Sequence, residues 1–295
     1  MPGKKIRISV LDVAVLLLVT AAGATIAYRI QDHLHYKWHW DAIPQYLFRF
    51  DAATSSWKPN VLVLGLLNTI RLSFWATLLA TIIGIVMGLL RAGGGLFNQL
   101  IGGTYVEIVR NLPPLVLVFI FYFFIGDQIL PALGIEKLLF DLPEPGRNLL
   151  SLLFAPPALL VPFFSAVLTL AVFEGAYITE IVRSGIQSIE KGQWEAAAAL
   201  GFTKPQQMRH IIIPQAAQRI LPPLAGQFIS TIKDSAIVSI ISIQELTFQG
   251  MELMATTYFT FEIWITITGL YLLLTLSCSL AVERLEIRLR RRRTV

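Results

Sequence analysis

The sequence predicts an all-α protein that crosses a membrane several times, and three observations support this fold class. Of the 295 residues, 55% are hydrophobic and 15% are charged, whereas a soluble domain carries about 25% charged residues. Several apolar runs approach the roughly 20 residues that a helix needs to cross a bilayer. Much of the positive net charge lies in residues 283–295, which contain six arginines. Such a tail suits an anionic membrane surface. The composition excludes an ordinary soluble enzyme and does not point to a nucleic-acid partner.

Six apolar segments are predicted to span the membrane. In chain order they cover about residues 13–27, 72–90, 105–125, 159–182, 223–243 and 263–282. Residues 22–24 (Ala-Gly-Ala) could mark a cleavage site in the first segment, but we expect an uncleaved anchor. Residues 65–71 are amphipathic and are predicted to lie in the interface before the second span. Pro113 and Pro114 should kink the third span, and residues 126–147 should form an exposed loop after it.

The distribution of basic residues predicts which side of the membrane the termini occupy. With both termini inside, 15 Lys and Arg residues fall in cytoplasmic segments, seven fall outside and two lie within spans. The positive-inside rule therefore favours cytoplasmic termini and a cytoplasmic polar segment at residues 183–222. The domain organisation that we expect is an anchor with an interfacial segment at 1–59, a transmembrane domain at 60–285 and a basic cytoplasmic tail at 286–295.

The polar segment 183–222 carries its own helical pattern. Residues 195–200 are strong helix formers, and Gly201 can end the helix in a left-handed conformation. Thr203 can then cap a second short helix whose first turn accepts Pro205. This helix-turn-helix would expose small alanines, with Lys204, Arg209 and His210 nearby. It could dock a partner protein, or it could be an amphipathic loop that rests on lipid headgroups, and periodicity does not decide between the two.

Seven residues of this segment have the spacing of a known motif. They are Glu195, Ala196, Ala197, Gly201, Ile211, Ile213 and Pro214. The pattern resembles the EAA loop in permease subunits of bacterial ATP-binding-cassette (ABC) importers. The flanking sequence is similar to the branch that imports polar amino acids, the histidine and glutamine permease type. The similar stretches are residues 65–73, 105–113, 175–183, 186–194 and 240–247. The resemblance covers about residues 60–285 and leaves the first span outside the common five-helix core.

The resemblance implies a type I importer permease in the bacterial inner membrane, with a five-helix core and one additional N-terminal helix. It implies a dimer of cytoplasmic ATP-binding-cassette ATPases, a second permease subunit (a copy of this chain or a paralogue) and a periplasmic amino acid binding protein. Glu195, Ala196, Ala197 and Gly201 would form the ATPase-coupling element, and Pro214 would begin the return to the membrane. The chain has no G-x-x-x-x-G-K-[ST] motif. We therefore expect ATP and Mg to bind the partner, and no cofactor, metal or catalytic residue in this chain.

Four charged residues are predicted to lie inside the membrane. They are Arg110, Glu174, Lys233 and Asp234. A charge at the bilayer centre costs several kcal/mol unless it is paired or faces a cavity. Lys233 and Asp234 are expected near the centre of the fifth span, about 100° apart on the helix, so each should have a separate partner. Glu174 is the candidate partner for Lys233, and Arg110 for Asp234. These groups could line a path for a zwitterion, or they could be structural ion pairs at a subunit interface.

Two classes of function follow from these features. The first is an ATP-driven importer permease, which moves when its partner ATPases close. The second is an autonomous secondary transporter or channel that uses the intramembrane charges. Inverted internal repeats would favour the second class, and no such repeat is apparent in the sequence. The transported amino acid is not determined by the sequence.

Overall fold

The computed structural model describes residues 9–33, 36–93, 95–129, 132, 134 and 142–291. The basic tail predicted at residues 286–295 therefore lies partly outside the described residues. The chain forms two compact units, Met1–Trp40 and Asp41–Val295. The second unit contains the helices of the predicted transmembrane domain.

In the described part of the first unit, residues 10–33 form helix α1 (Val10–His33). Its apolar part, Val10–Ile26, contains Asp12 in the first turn and is at the lower limit of the roughly 17–25 residues that span a bilayer. The hydroxyls of Thr20 and Thr25 donate to backbone carbonyls one turn earlier, so these polar groups are satisfied within the helix. The predicted first span, its retention and the total of six spans remain predictions.

The second unit begins with a small structure and continues into long apolar helices. A short helix, α2 (Ile43–Leu47), leads into an antiparallel hairpin of β1 (Phe48–Asp51) and β2 (Ser56–Pro59). The α-helices that follow are α3 (Val61–Ala92), α4 (Leu96–Asn111), α5 (Pro114–Phe121), α6 (Glu144–Leu153), α7 (Leu160–Gln187), α8 (Lys191–Ala199), α9 (Lys204–Gln207), α10 (Ile213–Asp234), α11 (Leu246–Thr257) and α12 (Thr260–Arg291).

Four helical segments among the described residues are long and apolar enough to cross a membrane. They are Val61–Ala92, Pro157–Gln187, Lys204–Ile241 and Thr260–Arg284. A fifth crossing is possible through α4 and α5, which meet at a bend of 108°. The helical multi-pass fold class is confirmed. The predicted spans 72–90, 159–182 and 263–282 lie inside observed helices, each of which is longer than its hydrophobic run.

Small residues determine how closely α3 and α7 pack. Ala76, Ala80, Gly84 and Gly88 lie one turn apart on α3 and are buried. A Cβ atom on Gly84 would lie 2.4 Å from Cγ2 of Ile178, so the two backbones can approach only because the side chain is absent. Without a hydrophobic force between helices in lipid, close contact of this kind is a main source of stability.

The interfacial segment predicted at residues 65–71 is wrong. These residues are early turns of the continuous helix α3. A Cβ on Gly65 would lie 3.0 Å from Cα of Leu246, and Thr69 is fully buried and accepts a hydrogen bond from the Leu246 amide. Gly65 and Thr69 of this segment therefore pack against the start of α11.

The proline pair separates two helices rather than kinking a single one. Helix α4 ends at Asn111, and Pro114 begins α5, where the missing proline N–H is not needed. A π-helical turn at Tyr122–Ile129 continues α5. The loop predicted at 126–147 is therefore wrong at both ends, because residues 126–129 and α6 are helical. Most of residues 130–141 lie outside the described residues.

The helical run that contains the fifth predicted span starts much earlier than its hydrophobic run indicated. The chain is helical from Lys204 to Ile241, through a π-turn at Met208–Ile212, helix α10 and a 3-10 segment at Ser235–Ile241. Pro222 and Pro223 lie inside α10. Only residues 188–203 of the predicted polar segment 183–222 lie between α7 and this helical run, and they include α8; the position of the segment relative to the membrane stays a prediction. Lys233 and Asp234 are the last two residues of α10, and the helical run continues beyond them to Ile241; their position at the centre of a span stays a prediction.

Candidate functional site

Helices α8 and α9 form a helical hairpin (residues 191–207) with the local structure that the sequence predicts. Gly201 has φ of +80°, a conformation that glycine adopts without steric cost. Thr203 begins α9 with a capping box: its side chain bonds the Gln206 backbone amide, and the Gln206 side chain accepts from the Thr203 backbone amide. Pro205 lies in the first turn of α9. The Phe202 amide donates to the Ala197 carbonyl at 3.2 Å and closes the turn.

The helical hairpin presents small and apolar side chains to its surroundings. Ala197 is buried, whereas Glu195, Ala196 and Gly201 are exposed. Leu200, at the tip, has 75% of its side chain exposed. Lys204, Arg209 and His210 are also exposed, as predicted. An isolated exposed Leu is common on a protein surface, but beside a row of alanines it adds to a shallow apolar face. Sequence reasoning missed Leu200, although its place next to Gly201 was a usable signal.

Several contacts fix the helical hairpin to the ends of α7 and α10. Trp194 packs on a buried aliphatic cluster formed by Ile186, Ile189, Ile212 and Ala216. The Gln215 side chain donates to Gln193 at 3.1 Å, and Arg219 donates to the Ser188 carbonyl. Two predicted motif residues lie where the helical hairpin meets α10. Ile211 is half-buried in the π-turn, and Pro214 is exposed in the first turn of α10. The helical hairpin is therefore connected by side-chain contacts to both α7 and α10.

An ion-pair network joins α3 to α7 near the same end of the bundle. The Glu180 carboxylate accepts hydrogen bonds from Arg183, three residues later on the same helix, at 2.7 and 2.9 Å. The same carboxylate also pairs with Arg91, a partner that the sequence could not indicate because it lies 89 positions away. The network ties two spans together close to the helical hairpin.

Glu174 occupies the most enclosed position of the four predicted intramembrane charges. Its side chain is fully buried on α7. One carboxylate oxygen, Oε2, accepts a hydrogen bond from Gln227 of α10, and the Asp234 carboxyl group lies close by. The other oxygen, Oε1, has no hydrogen-bond partner among the described residues. Buried polar atoms in native proteins are rarely left without a partner, and the neighbouring Asp234 carboxyl group, when protonated, is a donor for this carboxylate.

The predicted partners of the intramembrane charges are wrong. Glu174 faces Gln227 and Asp234, and no ion pair joins it to Lys233 among the described residues. Arg110 lies over the ring of Tyr177, with its guanidinium carbon 5.1 Å from the ring centroid. The reason is geometric. The 108° bend between α4 and α5, and the start of the fifth helical run at Lys204, change which residues lie at the same height along the bundle axis.

Gln227 was not predicted. It lies seven residues before Asp234 and four before the buried Thr231, a spacing that puts all three on one face of α10. That run of polar residues within an apolar helix was the available signal. Lys233 and Asp234 are both exposed in the single chain.

Glu245 is another buried carboxyl group that the sequence did not indicate, and it lies at the end of the bundle away from the helical hairpin. Glu245 caps α11 through the Phe248 amide at 2.7 Å and accepts from the Tyr271 hydroxyl at 2.8 Å. Thr69 of α3 completes the cluster. Burial raises the pKa of Glu245 above its usual range, although the hydrogen bonds from the Thr247 backbone and Tyr271 oppose this. The cluster joins α3, α11 and α12 (Thr260–Arg291).

Comparison with known proteins places this architecture in a family. The model of the binding-protein-dependent transport system inner membrane component family matches residues 80–291. The probable glutamine ABC transporter permease protein GlnM of Bacillus subtilis (strain 168) is 34% identical over 224 residues, which cover 73% of this chain and 91% of GlnM. The glutamine transport system permease protein GlnP of Escherichia coli (strain K12) is 34% identical over 229 residues, or 76% of this chain and 93% of GlnP.

The fold agrees with this assignment. The crystal structure of an amino acid ABC transporter with histidines superposes with a TM-score of 0.65 and 30% sequence identity, covering 86% of this chain and 100% of that chain. The helical fold, the family match and the relatives agree with one another and with the resemblance stated from the sequence. This chain belongs to the binding-protein-dependent transport system inner membrane component family and is a multi-pass permease of the ABC transporter class.

Proposed function

We propose that this permease imports a polar amino acid and that its helical hairpin couples the membrane helices to ATP hydrolysis by a partner ATPase. The observation that carries the proposal is the exposed face of the helical hairpin, fixed at its base to both α7 and α10. An element that is exposed at its tip and rigid at its base can transmit a displacement to two spans at once. Glutamine is the first compound to test, because relatives at 34% identity are named glutamine permeases.

The proposed docking contact uses small side chains for close approach and one larger side chain as an anchor. Ala196 is exposed, together with Ala198 and Ala199 on the same helix, so a groove in an ATPase could approach the helix backbone closely. Leu200 would fill an apolar pocket of that groove. A few apolar or aromatic anchors usually dominate the free energy of such an interface.

The proposed partners follow the type I importer plan. Two ATPase subunits would bind ATP and Mg, a second permease subunit would complete the pathway, and a periplasmic binding protein would deliver the amino acid. The exposure of Lys233 and Asp234 in the single chain supports a second permease subunit, because charged side chains facing lipid are costly. Either a copy of this chain or a paralogue could cover them.

Glu174, Gln227 and Asp234 are proposed to lie on the translocation pathway. The unpartnered Oε1 atom of Glu174 could accept a hydrogen bond from the ammonium group of an amino acid. Lys233 could attract its carboxylate. Arg110, held against Tyr177, is a less direct candidate.

A reconstitution experiment tests the transport class. The chain is placed in proteoliposomes with its ATPase, with and without a periplasmic binding protein, and glutamine uptake is measured under an ATP supply or an ion gradient. We expect uptake that needs ATP, the ATPase and the binding protein. Uptake by this chain alone, driven by an ion gradient, would instead establish the secondary transporter class.

A matched pair of substitutions tests the docking contact. Leu200→Ala removes the proposed anchor, and Leu96→Ala changes a leucine of similar exposure, 74%, outside the helical hairpin. We expect Leu200→Ala to weaken ATPase binding about 5- to 30-fold, which corresponds to about 1–2 kcal/mol for an interface anchor. Leu96→Ala should leave binding unchanged. Equal binding by both variants would contradict the contact.

A further inference from the structure

The β-hairpin formed by β1 and β2 has two chemically different faces. In the pairing register, Phe48 lies opposite Pro59 and Phe50 lies opposite Trp57. Directly opposed residues share a face and alternate residues point the other way. One face of the β-hairpin is therefore aromatic, formed by Phe48, Phe50, Trp57 and Pro59, and we call it the aromatic face.

The opposite face of the β-hairpin is polar and charged. It carries Arg49, Asp51, Ser56 and Lys58. Lys58 donates to Asp51 and holds the pKa of that carboxyl group below its usual range. Complete separation of rings from charges across a two-stranded element is the pattern expected at a boundary between an apolar and an aqueous medium.

The β-hairpin is fixed to the first turn of α3. The Asn60 amide donates to the Leu47 carbonyl at 2.9 Å, and its side chain donates to the Gln45 carbonyl at 2.6 Å. Ile43, just before the β-hairpin, is buried in a cluster with Leu62 and Leu246. These contacts leave the β-hairpin little freedom to move away from the end of the span.

The length of α3 determines where that end lies. Its 32 residues extend about 48 Å at 1.5 Å per residue. A bilayer with both headgroup layers is about 40–45 Å thick. A helix of this length that crosses the membrane with the common tilt of about 20° extends about 45 Å along the membrane normal and ends at the outer edge of the headgroup layers. Trp57 is only four residues before its first residue, Val61.

The aromatic face is exposed and small. The exposed fractions are 48% for Phe48, 56% for Phe50 and 70% for Trp57, and the Phe50 and Trp57 rings contact each other edge to face at 5.6 Å. At roughly 200 Å² per ring, the three side chains expose about 350 Å². A stable protein interface buries about 800 Å² on each partner. The aromatic face by itself is too small for such an interface, but aromatic rings at this level are typical of membrane anchoring.

We infer that the β-hairpin is an interfacial anchor whose aromatic face inserts into the lipid headgroup layer at the end of α3. The occupant of this face is therefore lipid, with Arg49 and Lys58 directed to water and headgroup phosphates. The anchor holds the α3 end and the α11 segment packed on it at a fixed depth. This inference does not depend on the transported compound or on the coupling role of the helical hairpin.

Neighbouring residues on opposite faces provide the test. In a Cys278→Ser background, which removes the chain's single cysteine, Trp57→Cys and Ser56→Cys are each labelled with an NBD fluorophore. The full chain is placed in nanodiscs of phosphatidylethanolamine and phosphatidylglycerol, which leave both membrane surfaces accessible. Quenching by iodide measures exposure to water, and quenching by lipids that carry a shallow nitroxide measures contact with the interface.

The expected result is strong nitroxide quenching at position 57 and iodide quenching about threefold weaker there than at position 56, because the two side chains face different media. The pair Phe50→Cys and Arg49→Cys should give the same contrast, and it carries the test if Trp57→Cys does not fold. Equal iodide quenching on both faces in both pairs would overturn the inference.

Discussion

The turn at Gly201 allows the coupling proposal to be tested through backbone conformation alone. Gly201 has φ of +80°, and a Cβ atom added there would meet nothing within 4 Å. Gly201→Ala therefore introduces no steric clash within the chain. Its cost comes from the left-handed conformation and is roughly 1–2 kcal/mol. This corresponds to about a 5- to 30-fold change in a conformational equilibrium. If the ATPase binds only the native turn, its apparent affinity should fall by up to that factor.

The assay is a titration of fluorescently labelled ATPase onto the permease in lipid nanodiscs, together with ATP-driven uptake in proteoliposomes. Gly192→Ala is the matched control, because Gly192 lies in the same helical hairpin, a Cβ there also meets nothing, and its φ is not positive. Gly201→Asn distinguishes conformation from size, since asparagine is larger than alanine but tolerates the left-handed region better.

We expect ATPase affinity to follow the order wild type, Gly201→Asn, Gly201→Ala, with Gly192→Ala equal to wild type. Membrane insertion should be unchanged in all variants. Equal binding by Gly201→Ala and Gly192→Ala would refute the coupling role of the turn. Weaker binding by Gly201→Asn than by Gly201→Ala would show that size, and not backbone conformation, governs the contact.

Three further predictions concern buried positions. Glu174→Gln should reduce uptake while ATPase binding stays normal, because it replaces one carboxylate oxygen, an acceptor, with an amide NH2 group, a donor; unchanged uptake would exclude this residue from the pathway. Gly84→Ala should destabilise the chain by about 1–3 kcal/mol through overpacking against Ile178, measured as a lower thermal midpoint, whereas Gly103→Ala, with open space around its Cβ, should not. A raised pKa means that folded Glu245 binds its proton more tightly than the unfolded chain does. Stability should therefore fall as pH rises from the ordinary glutamate value through the raised one, and Glu245→Gln should lose that part of the slope in thermal midpoints measured from pH 4 to 8.

Local features of the helical hairpin could be predicted from sequence because their causes are local. The stop at Gly201, the cap at Thr203 and the proline at position 205 depend on residues within a few positions of one another. The resemblance of Glu195, Ala196 and Ala197 to a family motif also needed no tertiary information. Hydropathy located the cores of most spans.

Helix ends were predicted less well than helix cores. Hydropathy detects where a helix is in lipid, but backbone hydrogen bonding continues beyond that boundary. For this reason α3 begins 11 residues before the predicted span at position 72, and α10 begins ten residues before position 223. Helix α11 was not predicted from the sequence. Its N-terminal cap, Glu245, is held by hydrogen bonds from the hydroxyl groups of Thr69 and Tyr271, which come from distant parts of the chain.

The sequence by itself determined that the chain is a helical membrane protein, that it carries a capped helical hairpin and that it resembles the importer permeases. These properties follow from composition and from interactions between near neighbours. Only the tertiary structure decided that Glu174 meets Gln227 and Asp234, that Arg91 joins Glu180 and that the rings of the β-hairpin share one exposed face. The physical reason is that partners in a bundle are set by helix direction, bend and depth, and these depend on close packing between segments far apart in the chain.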